Sequence, residues 1–234
     1  YIILSSIEWN TIWQTQHKLA ISLSKDNNVL FIENTGVRSP HIKDMKRIKD
    51  RLKNWFNSAG GFKEYKEKLL IFFPMIIPFP YSSLIKKINE FLILRSIKKW
   101  IKIHNSGNLI LITFIPTPLS LGIIERISPN VLIYYCANQM SGHYKQHNKL
   151  IKWENKLLQK SDSVFVISEL LREKAIKFND NVKKFPGGVE FERFQNALIS
   201  DYIPNEIKKI QKPIIGYVGG ISEIFDLNLV DFII

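Results

Sequence analysis

The stretch Lys184-Phe185-Pro186-Gly187-Gly188-Val189-Glu190-Phe191-Glu192-Arg193-Phe194 decides the fold prediction for this chain of 234 residues. After a polar spacer comes a second stretch, Pro213-Ile214-Ile215-Gly216-Tyr217-Val218-Gly219-Gly220-Ile221-Ser222. In each stretch a strand-like segment runs into a Gly-Gly pair, which is typical of a turn. We therefore expect one α/β domain to end at the first pair and another to begin at the second. The chain stops soon after, so we expect the first half of a two-domain enzyme.

Working back from these stretches, short apolar segments alternate with helical patterns. The strand-like segments are rich in β-branched and aromatic residues and apolar on both faces, which favours a parallel sheet covered by helices on both sides. They are residues 2–5, 29–33, 69–73, 109–114, 131–136, 163–167 and 214–218. Helical periodicity covers residues 11–26, 82–104, 144–160 and 169–178, and Ser168 is a predicted N-cap. This order predicts a Rossmann-like doubly wound α/β sheet, whose ligands bind at the carboxyl ends of the strands.

The domain prediction follows the two Gly-Gly pairs. Residues 1–194 form the first Rossmann-like domain, 195–212 a linker, and 213–234 the first strand and helix of a second Rossmann-like domain. Residues 36–67 fit poorly, because they are long, basic and partly helical over 42–56. An insertion of this length between strands is often a lid or a binding loop.

Charge and cysteine content restrict the function classes. The net charge is +12, from 33 basic and 21 acidic residues, and a field of that sign attracts anionic partners. No nucleic-acid-binding motif is present, so nucleic acid ranks low among them. The single cysteine, Cys136, excludes an internal disulfide and a Cys-based zinc site and favours a reducing cytosol.

One basic cluster has helical spacing. Its cations are Lys86, Lys87, Arg95, Lys98, Lys99 and Lys102, and they alternate with apolar residues. A basic amphipathic helix is typical of a membrane-surface element. A solvated helix face explains the same pattern, and both interpretations stay open. No apolar run reaches the roughly 18 residues that a membrane-spanning helix needs.

Five motifs, taken in order, resemble a known family. They are Ser5-Ser6-Ile7-Glu8-Trp9-Asn10-Thr11-Ile12-Trp13-Gln14-Thr15-Gln16-His17, Val29-Leu30-Phe31-Ile32-Glu33-Asn34-Thr35-Gly36-Val37-Arg38, Tyr134-Tyr135-Cys136-Ala137-Asn138-Gln139, Asp162-Ser163-Val164-Phe165-Val166-Ile167-Ser168 and Pro186-Gly187-Gly188-Val189-Glu190. Their order and spacing resemble glycosyltransferases of the GT-B fold, of the retaining family 4 or group 1 type. The similarity is closest to the branch that builds bacterial cell-surface polysaccharides such as teichuronic acids. The fold implied for this chain is the N-terminal domain of GT-B.

The resemblance implies an activity and its partners. A sugar would move from a nucleotide-sugar donor to a lipid-linked or oligosaccharide acceptor, in the cytoplasm or peripherally on the inner face of the plasma membrane. The implied mechanism is retaining and independent of metal, and the sequence contains no Asp-x-Asp. No cofactor is expected besides the donor, which is a substrate. We expect this chain alone to be inactive, because the glutamates that hold the donor in such enzymes belong to the second domain.

The donor-binding candidates are Gly219, Gly220 and Ser222. Backbone amides at a glycine-rich turn and in the first turn of the following helix bind phosphate oxygens. In the family the matching loop lies beside the donor diphosphate. A plain tight turn explains the glycine pair as often.

The acceptor-binding candidates are Trp9, Gln14 and His17, which lie at the first strand-to-helix turn. In the family this edge of the first domain faces the cleft. Trp9 would stack on a sugar ring and Gln14 would donate to a hydroxyl. The alternatives are that Trp9 and Trp13 pack against the sheet and that His17 is a polar neighbour within the helix.

The catalytic candidates are Asn138 and His143. Many relatives carry Asp at the position of Asn138, where a carboxylate acts as general base; an amide cannot. His143 is the nearest titratable side chain and the candidate base. In a retaining mechanism the leaving phosphate itself can take the acceptor proton, and His143 is then a surface loop residue.

A different class of function fits the same sequence. A non-catalytic basic α/β module would bind the membrane surface by charge alone. The observation that separates the two is the reading frame beyond Ile234, where the enzyme requires a second α/β domain.

Overall fold

Short apolar segments of the chain assemble into one sheet. The computed structural model describes residues 1–33, 60–77, 82–104, 107–138, 147–199, 202–219 and 225–233. Their contacts divide the chain into two units, Tyr1–Gly188 and Val189–Ile234. The predicted boundaries at 194 and 212 stay predictions.

Eight strands of the first unit form the sheet. They are β1 (Ile2–Leu4), β2 (Val29–Ile32), β3 (Phe62–Lys66), β4 (Leu69–Phe72), β5 (Ile110–Thr113), β6 (Val131–Cys136), β7 (Ser163–Val166) and β8 (Val182–Lys184). The spatial order is β3-β4-β2-β1-β5-β6-β7-β8. Every neighbouring pair is parallel except β3 with β4, which is antiparallel. The predicted parallel sheet is confirmed, with an antiparallel edge strand added.

Helices connect the parallel strands. In the first unit these are α1 (Thr15–Leu23), α2 (Ser83–His104), α3 (Pro118–Ile127), α4 (His147–Lys160) and α5 (Glu169–Ala175). The second unit contains α6 (Phe191–Ile199), α7 (Asn205–Lys208) and α8 (Leu227–Ile233). No helix among the described residues combines the length and the hydropathy needed to cross a bilayer.

The core has two layers, one on each face of the sheet. Ile2 and Leu4 of β1 pack into a cluster with residues of α2, α3, α4 and α5. Ile3, between them, points to the other face and joins a cluster with Trp9 and Ala20 of α1. All three β1 side chains are fully buried. Burial on both faces is what the apolar, non-alternating strand sequences predict, and it confirms the doubly wound class.

Six predicted strands are confirmed, as β1, β2, β4, β5, β6 and β7. The predicted cap is also confirmed, because the Leu171 amide donates to Ser168 Oγ at 3.4 Å. The strand β3 and the helix α3 were not predicted, whereas β8 ends at Lys184, where a strand-like segment was expected before the first Gly-Gly pair. The first predicted helix begins later, at Thr15 instead of residue 11, and this leaves residues 11–14 in the turn.

The strand predicted at residues 214–218 is wrong. These residues have no strand structure and no place in the eight-stranded sheet. A strand needs a hydrogen-bonded neighbour, and the described residues of the second unit contain no other strand to pair with it. The helix expected at the chain end is present as α8. The helical segment expected at 42–56 lies outside the described residues.

Candidate functional site

The candidate site lies at the carboxyl edge of the central strands. Backbone hydrogen bonds continue the sheet ladder one residue past three of these strands. The amide of Ser5 donates to Ile32 O at 2.9 Å, that of Phe114 to Leu4 O at 3.0 Å, and that of Glu33 to Phe72 O at 3.1 Å. The residues that follow β2, β1 and β5 therefore lie side by side.

This edge contains a topological switch point. From β1 the chain passes through α1 to β2 on one side, whereas β5, on the other side of β1, leads through α3 to β6. The two connections leave β1 and β5 in opposite directions and on opposite faces, because crossovers are right-handed. A crevice outside the carboxyl ends of β1 and β5 follows from that arrangement, and crevices of this kind bind ligands in open α/β sheets.

The turn after β1 is held by Gln16. Its Oε1 accepts from Ser5 Oγ at 2.7 Å and from the Ser6 amide at 3.0 Å, and its Nε2 donates to Ser6 Oγ at 2.6 Å. Gln16 is buried on α1. One carboxamide thus ties the helix to the strand exit, so the turn has a fixed shape.

Trp9, a predicted acceptor contact, lies beneath this turn. Its ring is only 6% exposed and packs edge-on against Phe31, His17 and Tyr65, with centroids 4.8–5.1 Å apart. Its amide donates to Glu33 Oε1 at 2.5 Å. This placement matches the alternative in which Trp9 packs against the sheet. A stacking role for Trp9 stays a prediction.

His17 is buried inside α1 and hydrogen-bonded through both ring nitrogens. Nδ1 accepts from the Gln14 amide at 3.0 Å, and Nε2 lies 3.2 Å from Glu8 O. An amide only donates and a carbonyl only accepts, so the ring is neutral with its proton on Nε2. Burial lowers the pKa of His17 below its ordinary value, and the hydrogen bonds to the backbone oppose that shift. His17 shapes the turn from within; its predicted acceptor contact is untested.

The exposed part of the turn is formed by Trp13 and Gln14. The Trp13 ring is 44% exposed and stacks on the His17 ring with centroids 5.5 Å apart. Tyr65 of β3 is also exposed, with its centroid 6.4 Å from that of Trp13. Lys18 Nζ lies 5.4 Å from the Trp13 centroid. Exposed aromatic faces beside an amide and an ammonium group can bind a sugar ring by stacking and hydrogen bonding.

Two residues of this region were not among the site residues predicted from the sequence. Glu33 is a buried carboxylate at the end of β2, and Tyr65 belongs to the unpredicted strand β3. The position of Glu33 directly after an apolar strand was a usable signal. No sequence signal brings Tyr65 to Trp13, because that contact depends on the antiparallel pairing of β3.

Asn138, a predicted catalytic residue, is exposed just past the end of β6. Its carbonyl accepts from the Cys136 thiol at 3.6 Å. The other catalytic candidate, His143, lies outside the described residues, so the structure does not bring the pair together. Their roles stay predictions.

A cluster of polar and ionic side chains from two helices lies beside the end of β6, close to Asn138 in the chain. Glu154 of α4 accepts from Tyr134 Oη at 3.2 Å through Oε1, and its Oε2 is 2.6 Å from Lys174 Nζ of α5. Burial, and next the nearby Glu154 carboxylate, raise the pKa of Cys136 to about 12. Burial also raises the pKa of Tyr134 well above its ordinary value. The Cys136 thiol is therefore protonated at neutral pH and a poor nucleophile.

The turn after β5 is closed by its own side chains. Thr117 caps α3 by accepting from the Ser120 amide at 3.2 Å, and Ser120 Oγ accepts from the Thr117 amide at 3.0 Å. Both residues are buried. The contact satisfies the Ser120 amide, one of the helix amides that would otherwise attract an anion, and it closes the turn beside the carboxyl end of β5.

The donor-binding candidates belong to the second unit. Gly219 is exposed and lies beside the Tyr217 ring. Gly220 and Ser222 lie outside the described residues. The predicted phosphate contacts of these three residues are untested.

Comparisons with known proteins concern the fold. No protein-family model and no curated protein matches the chain. Among solved structures, sucrose-phosphate synthase from Thermosynechococcus elongatus aligns with 82% of this chain and 49% of its own, with a TM-score of 0.52 and 12% sequence identity. A segment of the same synthase aligns with 84% of this chain and 93% of its own, with a TM-score of 0.46 and 12% identity. This chain spans about half the length of the full synthase.

The alignment with the full synthase supports the predicted fold class. The α/β architecture with a mostly parallel sheet is similar to that of a GT-B glycosyltransferase, as the sequence predicted. At 12% identity the similarity shows the fold alone.

Proposed function

We propose that the chain is the acceptor-side part of a glycosyltransferase. The enzyme transfers a sugar from a nucleotide-sugar donor to a lipid-linked or oligosaccharide acceptor in bacterial cell-surface polysaccharide synthesis. The assignment to family 4 and its teichuronic-acid branch, the retaining outcome and the independence from metal belong to the same proposal. Their support is the order of sequence motifs.

The observation that carries the proposal is the topological switch point at the carboxyl ends of β1 and β5, where open α/β sheets bind their ligands. The closed turn after β5 and the turn after β1 follow these two strands, and the turn after β1 also exposes the Trp13 ring on its side toward β3. A parallel sheet that resembles a GT-B enzyme and has a rigid, aromatic-lined carboxyl edge suits the binding of a saccharide.

Within this proposal, Trp13 and Gln14 contact the acceptor directly. Trp9 and His17 act from beneath, by holding the Trp13 ring in place. Asn138 orients the acceptor hydroxyl by hydrogen bonding, since an amide cannot take the proton. His143 or the leaving phosphate serves as the base.

The donor is proposed to bind mainly outside this chain. Gly219, Gly220 and Ser222 contribute amides to the donor diphosphate, and a second α/β domain encoded beyond Ile234 supplies the remaining contacts. We accordingly expect transfer activity only from the full-length protein.

The test is a transfer assay on the full-length protein with UDP- and GDP-sugars and an oligosaccharide acceptor. The exchange Trp13→Ala should raise KM for the acceptor about fivefold, because a sugar–aromatic contact contributes about 1 kcal/mol. KM for the donor should stay within about twofold. The control Trp153→Phe changes a tryptophan of α4 away from this turn and should leave both constants unchanged. No transfer from any nucleotide sugar, or an unaltered acceptor KM in Trp13→Ala, counts against the proposal.

The basic charge supports the second candidate, a non-catalytic module at the membrane surface. Nucleotide sugars separate the two candidates. They should raise the Tm of the full-length enzyme, because a ligand that binds only the native state stabilises it. A non-catalytic module should not respond.

A further inference from the structure

Helix α2 has one face that no part of the described chain covers. Its inner face is buried against the sheet and α3 through Asn89, Glu90, Ile93, Leu94, Ile97 and Trp100. The residues on the opposite side, called here the outward face of α2, are Leu84, Lys87, Ile88, Phe91, Leu92, Arg95, Lys98, Lys99 and Lys102. All nine side chains are exposed, and the least exposed apolar ones, Ile88 and Leu92, are still 39% and 42% exposed.

The outward face has an apolar half and a basic half. Leu84 and Phe91, in the first half, are 68% and 63% exposed. The second half, from Arg95 to Lys102, contributes four cations on two turns. Exposed apolar residues that form a contiguous patch mark an interaction surface more often than single ones do.

Among the described residues, no carboxylate pairs with the basic half of this face. The one acidic residue of α2 is Glu90, which is buried on the inner side, 3.2 Å from Lys86 Nζ and 3.5 Å from Arg126 Nη2. In the described part of the chain, none of the four cations from Arg95 to Lys102 takes part in an ion pair. The basic half is thus available to an anionic partner.

The direction of α2 places the apolar half beside the candidate site. The helix leaves the carboxyl end of β4 and returns the chain to the amino end of β5, so its first turns lie at the carboxyl edge of the sheet. Asn89 also holds the segment before α2, because its side chain exchanges two hydrogen bonds of 2.9 Å with the Ile77 backbone. Met75 and Ile77 of that segment are exposed as well and extend the apolar surface.

We propose that the outward face of α2 binds an anionic lipid bilayer. The apolar half enters the boundary between headgroups and acyl chains, and the basic half lies on anionic headgroups. An apolar patch followed by cations without any acid matches such an interface. An acidic protein groove or a nucleic acid would match the cations and leave Leu84 and Phe91 without a partner.

The proposal has a consequence for the enzyme, and this consequence rests on the proposed function. A bilayer on the apolar half brings the carboxyl edge of the sheet to the membrane surface. A lipid-linked acceptor would then reach the crevice by diffusion within the leaflet.

The test measures co-sedimentation of the chain with two kinds of vesicles, phosphatidylcholine alone and phosphatidylcholine mixed with phosphatidylglycerol, at low and high salt. The chain should bind the anionic vesicles at low salt and lose much of that binding at high salt, because screening weakens the headgroup contacts. No binding to anionic vesicles at low salt would overturn the proposal. Since no sugar nucleotide is present, the result is independent of the glycosyltransferase assignment.

Two variants separate the halves of the face. Lys98→Ser with Lys99→Ser should lower the partition coefficient on anionic vesicles about thirtyfold, at about 1 kcal/mol for each basic residue. Leu84→Ser with Phe91→Ser should lower it about tenfold and also reduce the binding that remains at high salt.

Matched controls are available on the same unit. Lys177→Ser with Lys183→Ser removes the same charge from exposed positions near β8, and Leu170→Ser with Ile176→Ser removes exposed apolar groups at α5. Both controls should bind as the unchanged chain does. If the controls lose as much binding as the α2 variants, adsorption depends on overall charge and hydrophobicity, and the proposed face is wrong. Circular dichroism checks that every variant is folded.

Discussion

Two polar clusters are buried at the carboxyl edge, and they are built differently. Under the β1–α1 turn, Gln16 and His17 are neutral and satisfied by hydrogen bonds to serine hydroxyls and the backbone. Under the end of β6, Glu154 and Lys174 form an ion pair across α4 and α5. The neutral cluster shapes an exposed turn, whereas the ionic cluster joins two helices. Removing one partner should therefore cost more in the ionic cluster, where it leaves a buried carboxylate unpaired, than in the neutral cluster, which shapes the exposed turn.

The strongest test of this comparison is Lys174→Met. The variant leaves the buried Glu154 carboxylate without its counter-charge, and we expect the free energy of unfolding to fall by about 3 kcal/mol. Urea denaturation measures the loss. Lys177→Met, which removes an exposed charge next to α5, is the control and should change stability by less than about 0.5 kcal/mol. Equal losses in the two variants would show that the Glu154–Lys174 pair contributes nothing specific.

A smaller effect is expected from Gln16→Leu. The leucine keeps the volume but removes the acceptor of the Ser6 amide and one partner of the Ser5 hydroxyl, which still bonds Ile7, and the free energy of unfolding should fall by about 2 kcal/mol. Gln14→Leu is a matched control, because Gln14 is exposed. A loss in Gln16→Leu that exceeds that of Lys174→Met would reverse the proposed ranking of the two clusters.

The smallest effect is a pH dependence carried by His17. Its pKa in the folded state is lowered below the ordinary value of 6.5, so the unfolded chain binds more protons in the window just below that value. The stabilisation is therefore complete above about pH 6.5 and is lost as the pH falls toward the folded-state pKa. His17→Phe should lack this component when unfolding free energies are compared from pH 7.5 down to pH 5. A difference between the two proteins that does not change with pH would contradict the neutral, buried assignment.

The sequence predicted the β-strands of the first unit best where they are buried on both faces. Ile2, Ile3 and Leu4 are an example, since an unbroken apolar run suits only such a position. The strand β3 was missed because it lies at the edge of the sheet and is largely polar and exposed. The segment 214–218 shows the opposite error: its apolar run was predicted as a strand, but among the described residues no strand lies beside it to pair with.

The helix α3 was missed because it contains Pro118 and Gly122, which lower helix propensity. Both residues have a role in the folded chain. Pro118 occupies the first helical position after the Thr117 cap, where its missing amide is not needed. A Cβ on Gly122 would collide with the Glu90 carboxylate, so this glycine allows α2 and α3 to pack closely.

The sequence predicted which turn forms the candidate site. The sequence located the turn after β1 and its tryptophans and selected Trp9 as the stacking residue; the structure buries the Trp9 ring, and its contact with an acceptor stays a prediction. Trp13 is exposed because α1 begins only at Thr15. Where a helix begins depends on which amides the surrounding turn can satisfy, and that is a tertiary property.

The apolar and β-branched pattern of the sequence was sufficient to determine the parallel sheet, its helical layers and the edge where function is expected, because burial on two faces requires such residues. The tertiary structure alone decided which aromatic rings are exposed, which polar groups are paired, and that α2 carries an uncovered apolar and basic face. These properties depend on contacts between segments far apart in the chain, and local sequence does not specify such contacts.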